Sequence, residues 1–256
     1  MKKRILATFI KVSISLLTLP SISTQATQQH LDVLLVNQKL KLEYPAPARL
    51  EQVVSDIHSN TQSSLYWLGT QLFDESKQHT IDTKKQYVLE QLSQLKAQEP
   101  ELIESIKKLE SQLLLAEFKD RQFISLDHDV IRISEKANPL LKGNFSFYLE
   151  TRPETISITG LTKKSLQVPF IEHGQVSDYL VLEEVKENLL SEANNSFVYI
   201  IQPDGNIIEV PYTYWNKQSF FLAPGSIIFI GFNSLTQNFS KLNAQIAQLL
   251  RHKVNL

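Results

Sequence analysis

The residues able to carry chemistry are few and scattered along 256 positions. Cysteine is absent, which excludes thiolate nucleophiles, thiolate metal sites, disulfides and a lipid-modified cysteine. Six histidines stand at positions 30, 58, 79, 128, 173 and 252. No two have the spacing that places a pair of metal ligands on one face of an element. Asp127-His128-Asp129 is the single acidic and imidazole cluster. Its two carboxylates either hold a hard cation or serve a saccharide-modifying enzyme together with an arginine, or they are solvated acids of a turn, which is the simpler reading. With seven glycines and no GxSxG, GxGxxG or Walker loop, the chain offers no catalytic residue, metal set or cofactor motif to commit to.

Arginine is rare enough for each one to be informative. Arg121, Arg132 and Arg152 fall at the ends of expected strands in the middle of the chain. A guanidinium fork there either clamps a carboxylate or phosphate or closes a structural ion pair at a domain junction. Tyr212, Tyr214 and Trp215 alternate past a strand end, so that rings can stack on the apolar face of a sugar or pack a small β core. Arg121, Arg152, Tyr214 and Trp215 are therefore the candidate ligand-binding residues.

These side chains are positioned by an α+β pattern. Residues 31–36 and 40–44 read as two strands, and Pro45 and Pro47 stop the second because proline cannot donate to a ladder. Leu50, Val53, Val54 and Ile57 then recur at helical spacing. From about 80 to 117, two apolar helical faces flank Gln98-Glu99-Pro100, which predicts an antiparallel helical hairpin packed on the first domain, or else a coiled-coil module. Residues 121–126, 130–133 and 144–149 read as strands, with 127–129 as a turn. Strand, strand, helix and further strands then repeat from Arg152-Pro153 onward. Pro203-Asp204-Gly205-Asn206 is a turn, with proline presetting one angle and glycine taking the left-handed one.

A last helix is expected over 235–253, roughly 28 Å long at about 1.5 Å per residue. Its apolar stripe includes Phe239, Leu242, Ile246 and Leu249, with Ser240, Asn243, Gln245 and Gln248 facing away. The stripe either docks on the body or meets a partner or membrane surface; Phe239, Leu242, Ile246 and Leu249 are the candidate partner-binding residues.

The first 26 residues read as a secretory signal: Lys2, Lys3 and Arg4, a short apolar core from Val12, Pro20, and Thr24-Gln25-Ala26 before the cleavage point. Cleavage removes four cations and no acid, moving the formal charge from −1 to −5. A mildly acidic mature chain without a basic block is a poor nucleic-acid binder. No later stretch has the eighteen or so apolar residues of a membrane span. The expected compartment is the periplasm of a Gram-negative cell.

The segments PARLEQVVSDI, YWLGTQLFD from Tyr66, NPLLKGNFSFYLETRPETISITG from Asn138, DYL from Asp178, and VYIIQPDGNIIEVPYTYWN with APGSIIFIGF together resemble the capsule biosynthesis GfcC-like family of periplasmic proteins. They run from about residue 31 to the C-terminus. The resemblance implies two β-grasp-like domains, at 27–150 and 151–232, a helical hairpin inserted in the first, and a C-terminal amphipathic helix at 233–256. Such domains are similar to those of outer-membrane polysaccharide export channels, so the implied partners are that channel or a surface polysaccharide. The implied job is non-enzymatic assistance in capsule or exopolysaccharide assembly, with a polysaccharide-modifying enzyme or a pure protein-interaction scaffold as the alternatives. The family's arginine-lined pocket maps to Arg121 in KDRQF, although Asp120 stands where a glycine is expected.

Overall fold

The computed structural model describes residues 30–61, 64–212 and 219–255. The signal segment, Tyr214 and Trp215 lie outside the described residues.

The first unit begins with β1 (Leu31–Leu35) and β2 (Leu40–Tyr44), paired antiparallel from Leu31 opposite Tyr44 to Leu35 opposite Leu40. Leu31, Val33 and Leu35 alternate inward and are fully buried, the period-2 pattern of a sheet with one covered face. After the short β3 (Ala48–Arg49) comes α1 (Leu50–Asn60), which buries Leu50, Val53, Val54 and Ile57 against that face. The entrance of α1 has no side-chain cap of its own. Its orphan donors are met from a distant Asn-Pro pair, Leu50 N–H donating to Pro139 O at 3.0 Å and Glu51 N–H to Asn138 Oδ1 at 3.0 Å.

There follow β4 (Gln71–Asp74), α2 (Gln78–Gln98), α3 (Ile103–Leu115), α4 (His128–Ile133), β5 (Leu140–Leu141) and β6 (Gly143–Tyr148). The sheet order is β2-β1-β6-β4, with β1 and β6 parallel and the outer pairs antiparallel.

The second unit repeats this plan. A hairpin of β7 (Thr155–Gly160) and β8 (Leu166–Pro169) leads to α5 (Val176–Leu180) and α6 (Glu183–Asn188). β9 (Phe197–Ile201), β10 (Ile207–Pro211) and β11 (Ile227–Ile230) complete a sheet of order β10-β9-β11-β7-β8. Again the first strand, β7, lies parallel to the last, β11. Both units are β-grasp-like, and the fold is α+β.

Three sequence expectations are corrected. The α2–α3 hairpin forms, but it does not pack on the first sheet. Val88, Leu92, Leu95, Ile106, Leu109 and Leu113 share a core with Ile201, Ile227 and Phe229 of the second sheet. That sheet is apolar on both faces, Ile228 and Ile230 packing on α5 and α6, so its other face needs its own cover. Gln112 on α3 pins the hairpin there, donating to Gly160 O at 3.0 Å and accepting from Gly160 N–H at 3.0 Å.

Residues 130–133 are helix, not strand. Asp127 accepts from Asp129 N–H at 2.8 Å and Val130 N–H at 3.4 Å, a cap that starts α4.

The last helix, α7 (Leu242–Leu250), has nine residues and is about 14 Å long at 1.5 Å per residue. A single 3₁₀ turn, Gln237–Phe239, precedes it. Asn243 does not face away: its amide accepts from Phe232 N–H and donates to Phe232 O, both at 2.9 Å, tying the helix to the end of β11. Phe239, Leu242, Ile246 and Leu249 are buried in the core shared with the hairpin. In this chain they hold the fold together and present no free surface to a partner.

Candidate functional site

Residues 120–122 run beside β4. Asp74 N–H donates to Asp120 O at 2.9 Å, Gln122 N–H donates to Leu72 O at 2.8 Å, and Arg121 bridges Phe73. This edge pairing directs Arg121 toward the second unit. Its side chain is 4% exposed, and Nη2 donates to Pro203 O in the turn between β9 and β10. Nη1 is buried without a hydrogen-bond partner among the described residues.

A second guanidinium arrives from the C-terminal end. Arg251, just past α7, stacks over the Phe123 ring with its Cζ 3.6 Å from the centroid, while the Arg121 Cζ is 5.7 Å from the same centroid. Arg251 Nε is also buried without a partner among the described residues. The Phe123 ring fits because residue 205 is glycine. Gly205 has φ +85°, and a β-carbon there would lie 2.5 Å from a ring carbon of Phe123.

Arg121, Phe123, Arg251, Asp204, Asn206 and Trp67 are among the residues lining a cavity of about 480 Å³. Burial pushes the Arg121 guanidinium down to about 10, with the Asp204 carboxylate opposing the shift and Arg251 adding to it. Burial likewise lowers Arg251, again opposed by Asp204. One exposed carboxylate thus faces two arginines, each with a buried N–H unpaired. Such donors are expensive to leave unmet, about 1–3 kcal/mol each, and they suit an anion with two oxygens.

His252 backs the cavity, edge-on to Phe123 with centroids 5.0 Å apart. Lys84 Nζ lies 3.3 Å from His252 Nε2. An ammonium only donates, so Nε2 accepts, while Nδ1 lies 3.3 Å from Lys119 O and 3.3 Å from the Arg121 backbone nitrogen, whose N–H points at it. Burial first, then the nearby Lys84 charge, push His252 down to about 4.

Of the ligand-binding candidates among the described residues, Arg121 lines this cavity. Arg152 is exposed and is not among the lining residues; its charge bears on the Tyr66 hydroxyl instead. Arg132 sits on α4 as a surface ion pair, 4.0 Å from Asp129. Asp127 reaches the cavity rim but its carboxylate caps α4, and Asp129 is 85% exposed on the first turn of the same helix. The two carboxylates therefore flank one helix start and do not face each other from opposing walls. Among the described residues no group of three or more His, Cys, Asp or Glu could hold a metal ion.

Arg251, Phe123, Asp204 and Trp67 were not singled out from sequence. The available signals were the scarcity of arginine, six in all, and the position of Arg251 directly after the apolar stripe. No helix among the described residues is long and apolar enough to cross a membrane.

Comparison with known proteins agrees with this architecture. The family model described as capsule biosynthesis GfcC, N-terminal, matches residues 27–152. The model described as capsule biosynthesis GfcC C-terminal matches residues 164–255. The chain is 28% identical over 207 residues to the uncharacterized protein YjbG of Escherichia coli strain K12, covering 80% of this chain and 83% of that protein. With its two halves matched in order over most of its length, the chain belongs to the capsule biosynthesis GfcC family.

Proposed function

We propose that the chain is a non-enzymatic, periplasmic accessory protein of capsule or exopolysaccharide assembly that binds an acidic saccharide in the Arg121–Arg251 cavity. Membership of the capsule biosynthesis family supports the process. The observation that carries the binding role is the unpartnered, buried Nη1 of Arg121 on the wall of that cavity. A sugar carboxylate supplies the two acceptor oxygens that Arg121 and Arg251 lack. The Trp67 and Phe123 rings and Asn206 offer an apolar face and an amide to the ring and its hydroxyls. No activated nucleophile or paired carboxylate is needed for holding a polymer, and the reading uses none.

An outer-membrane polysaccharide export channel is the protein partner this role calls for. Contact with it would fall to the exposed surfaces of the two units, because the α7 stripe is already buried. Titration with glucuronic acid against glucose tests the binding role: the acid binds saturably and the neutral sugar does not, and Arg121→Met abolishes the difference. Equal binding of the two sugars would refute it.

A further inference from the structure

Trp67 and Asp127 line not one cavity but two. The second, about 550 Å³, adds Val54, Ser55 and His58 from α1 and His128 and Asp129 from the start of α4. Helical period brings the α1 residues together, since Ser55 and His58 are three apart and Val54 and His58 four apart. Val54 is fully buried, whereas Ser55, His58, His128 and Asp129 are exposed. The cavity thus has an apolar base, an indole shared with its neighbour, and a rim of hydroxyl, imidazole and carboxylate groups. Each cavity is lined by two aspartates, Asp127 and Asp204 in the first and Asp127 and Asp129 in the second. Arg121 and Arg251 line only the first, and no arginine or lysine among the described residues lines the second.

That division of charge selects a ligand. We infer that the two cavities are consecutive subsites for a saccharide chain, an acidic unit beside the arginines and a neutral unit across Trp67 beside His58 and His128. The neutral pyranose lays an apolar C–H face on the indole and turns its hydroxyls to the polar rim. A carboxylate on that unit would meet Asp127 and Asp129 and be disfavoured. The inference rests on the arginine cavity being the site for the acidic unit. It adds a second subsite and a chain composition in which acidic and neutral units adjoin.

The test is a titration of the full chain with three probes: glucuronic acid, the glucuronate–N-acetylglucosamine disaccharide of hyaluronan, and digalacturonate. The wild-type protein binds the mixed disaccharide at least tenfold more tightly than glucuronic acid. Digalacturonate shows no such gain. The double variant His58→Ala/His128→Ala, altered only at exposed side chains, keeps its affinity for glucuronic acid and loses the tenfold gain. Equal affinity for glucuronic acid and the mixed disaccharide, an equal gain with digalacturonate, or a gain surviving in the double variant would overturn the second subsite while leaving the arginine cavity standing. Failure of all three probes to bind would overturn both.

Discussion

Replacing Arg121 with methionine separates a binding residue from a structural one, because the two roles predict opposite effects on stability. Burial, above all, pushes the guanidinium well below its ordinary value, down to about 10. At 1.36 kcal/mol per unit, the folded state disfavours the charged form by roughly 3 kcal/mol. The group is charged in folded and unfolded chains alike at neutral pH. The folded value is the lower one, so the penalty is fully present below pH 10 and is relieved only as pH rises past it. Methionine removes that penalty and fills similar space, but it leaves Pro203 O without its donor, a loss of about 1–3 kcal/mol. The balance is between no change and a gain of about 2 kcal/mol, so Tm holds or rises by a few degrees for a chain of this size. Binding of glucuronic acid, in contrast, falls at least tenfold with the loss of a charge-assisted pair. Chemical denaturation and calorimetric titration on the same preparation read both quantities. A destabilisation above about 2 kcal/mol with affinity retained would show that Arg121 is a strut between the two units, and the reasoning would fail.

Three further outcomes follow from the same geometry. Leu249→Ala, at a fully buried position of α7, lowers unfolding free energy by about 2–5 kcal/mol, whereas a loss under 1 kcal/mol would mean that the helix stays undocked in solution. Gly205→Ala combines a φ of +85° with a clash on Phe123, so it destabilises by about 1–3 kcal/mol and weakens sugar binding by displacing the ring under Arg251; unchanged affinity would remove Phe123 from the site. His252 is a base whose folded value, about 4, lies below its ordinary 6.5. The unfolded chain therefore takes up the proton first, and the His252 contribution is complete above pH 6.5 and declines by up to roughly 3 kcal/mol as pH falls toward 4. Comparing the stability–pH curves of wild type and His252→Gln isolates that slope, and parallel curves would contradict it.

Much of the fold could be read locally because its signals are local. The alternation of Leu31, Val33 and Leu35, the helical spacing of Leu50 to Ile57 and the Pro203–Asn206 turn each declare an element within a few residues. What could not be read was address. The apolar faces of α2 and α3 announce burial but not against which sheet, and that choice is made by Gln112 meeting Gly160 on a distant strand. The length of α7 depends on Asn243 answering the backbone of Phe232, which no periodicity reveals.

The site is less legible still. Arg121 stands out in the sequence as one of six arginines, in a segment that resembles the family's. Arg251 and Phe123 become partners only when the C-terminal end folds back across the first unit, where Gln71 donates to Lys253 O at 3.0 Å and Val254 N–H donates to Glu117 O at 3.0 Å. Capping explains the Asp127 misreading: a turn acid and a helix cap share one residue type and differ in which N–H groups answer it.

The central claim is that two arginines far apart in the sequence, Arg121 and Arg251, hold one sugar carboxylate. A double-mutant cycle with Arg121→Met and Arg251→Met, read by calorimetric titration with the glucuronate–N-acetylglucosamine disaccharide, tests it most directly. The account predicts that the wild type binds, that each single variant loses at least tenfold, and that the double variant loses less than the product of the single losses because both changes remove the same carboxylate clamp. Wild-type affinity retained in the double variant would contradict it.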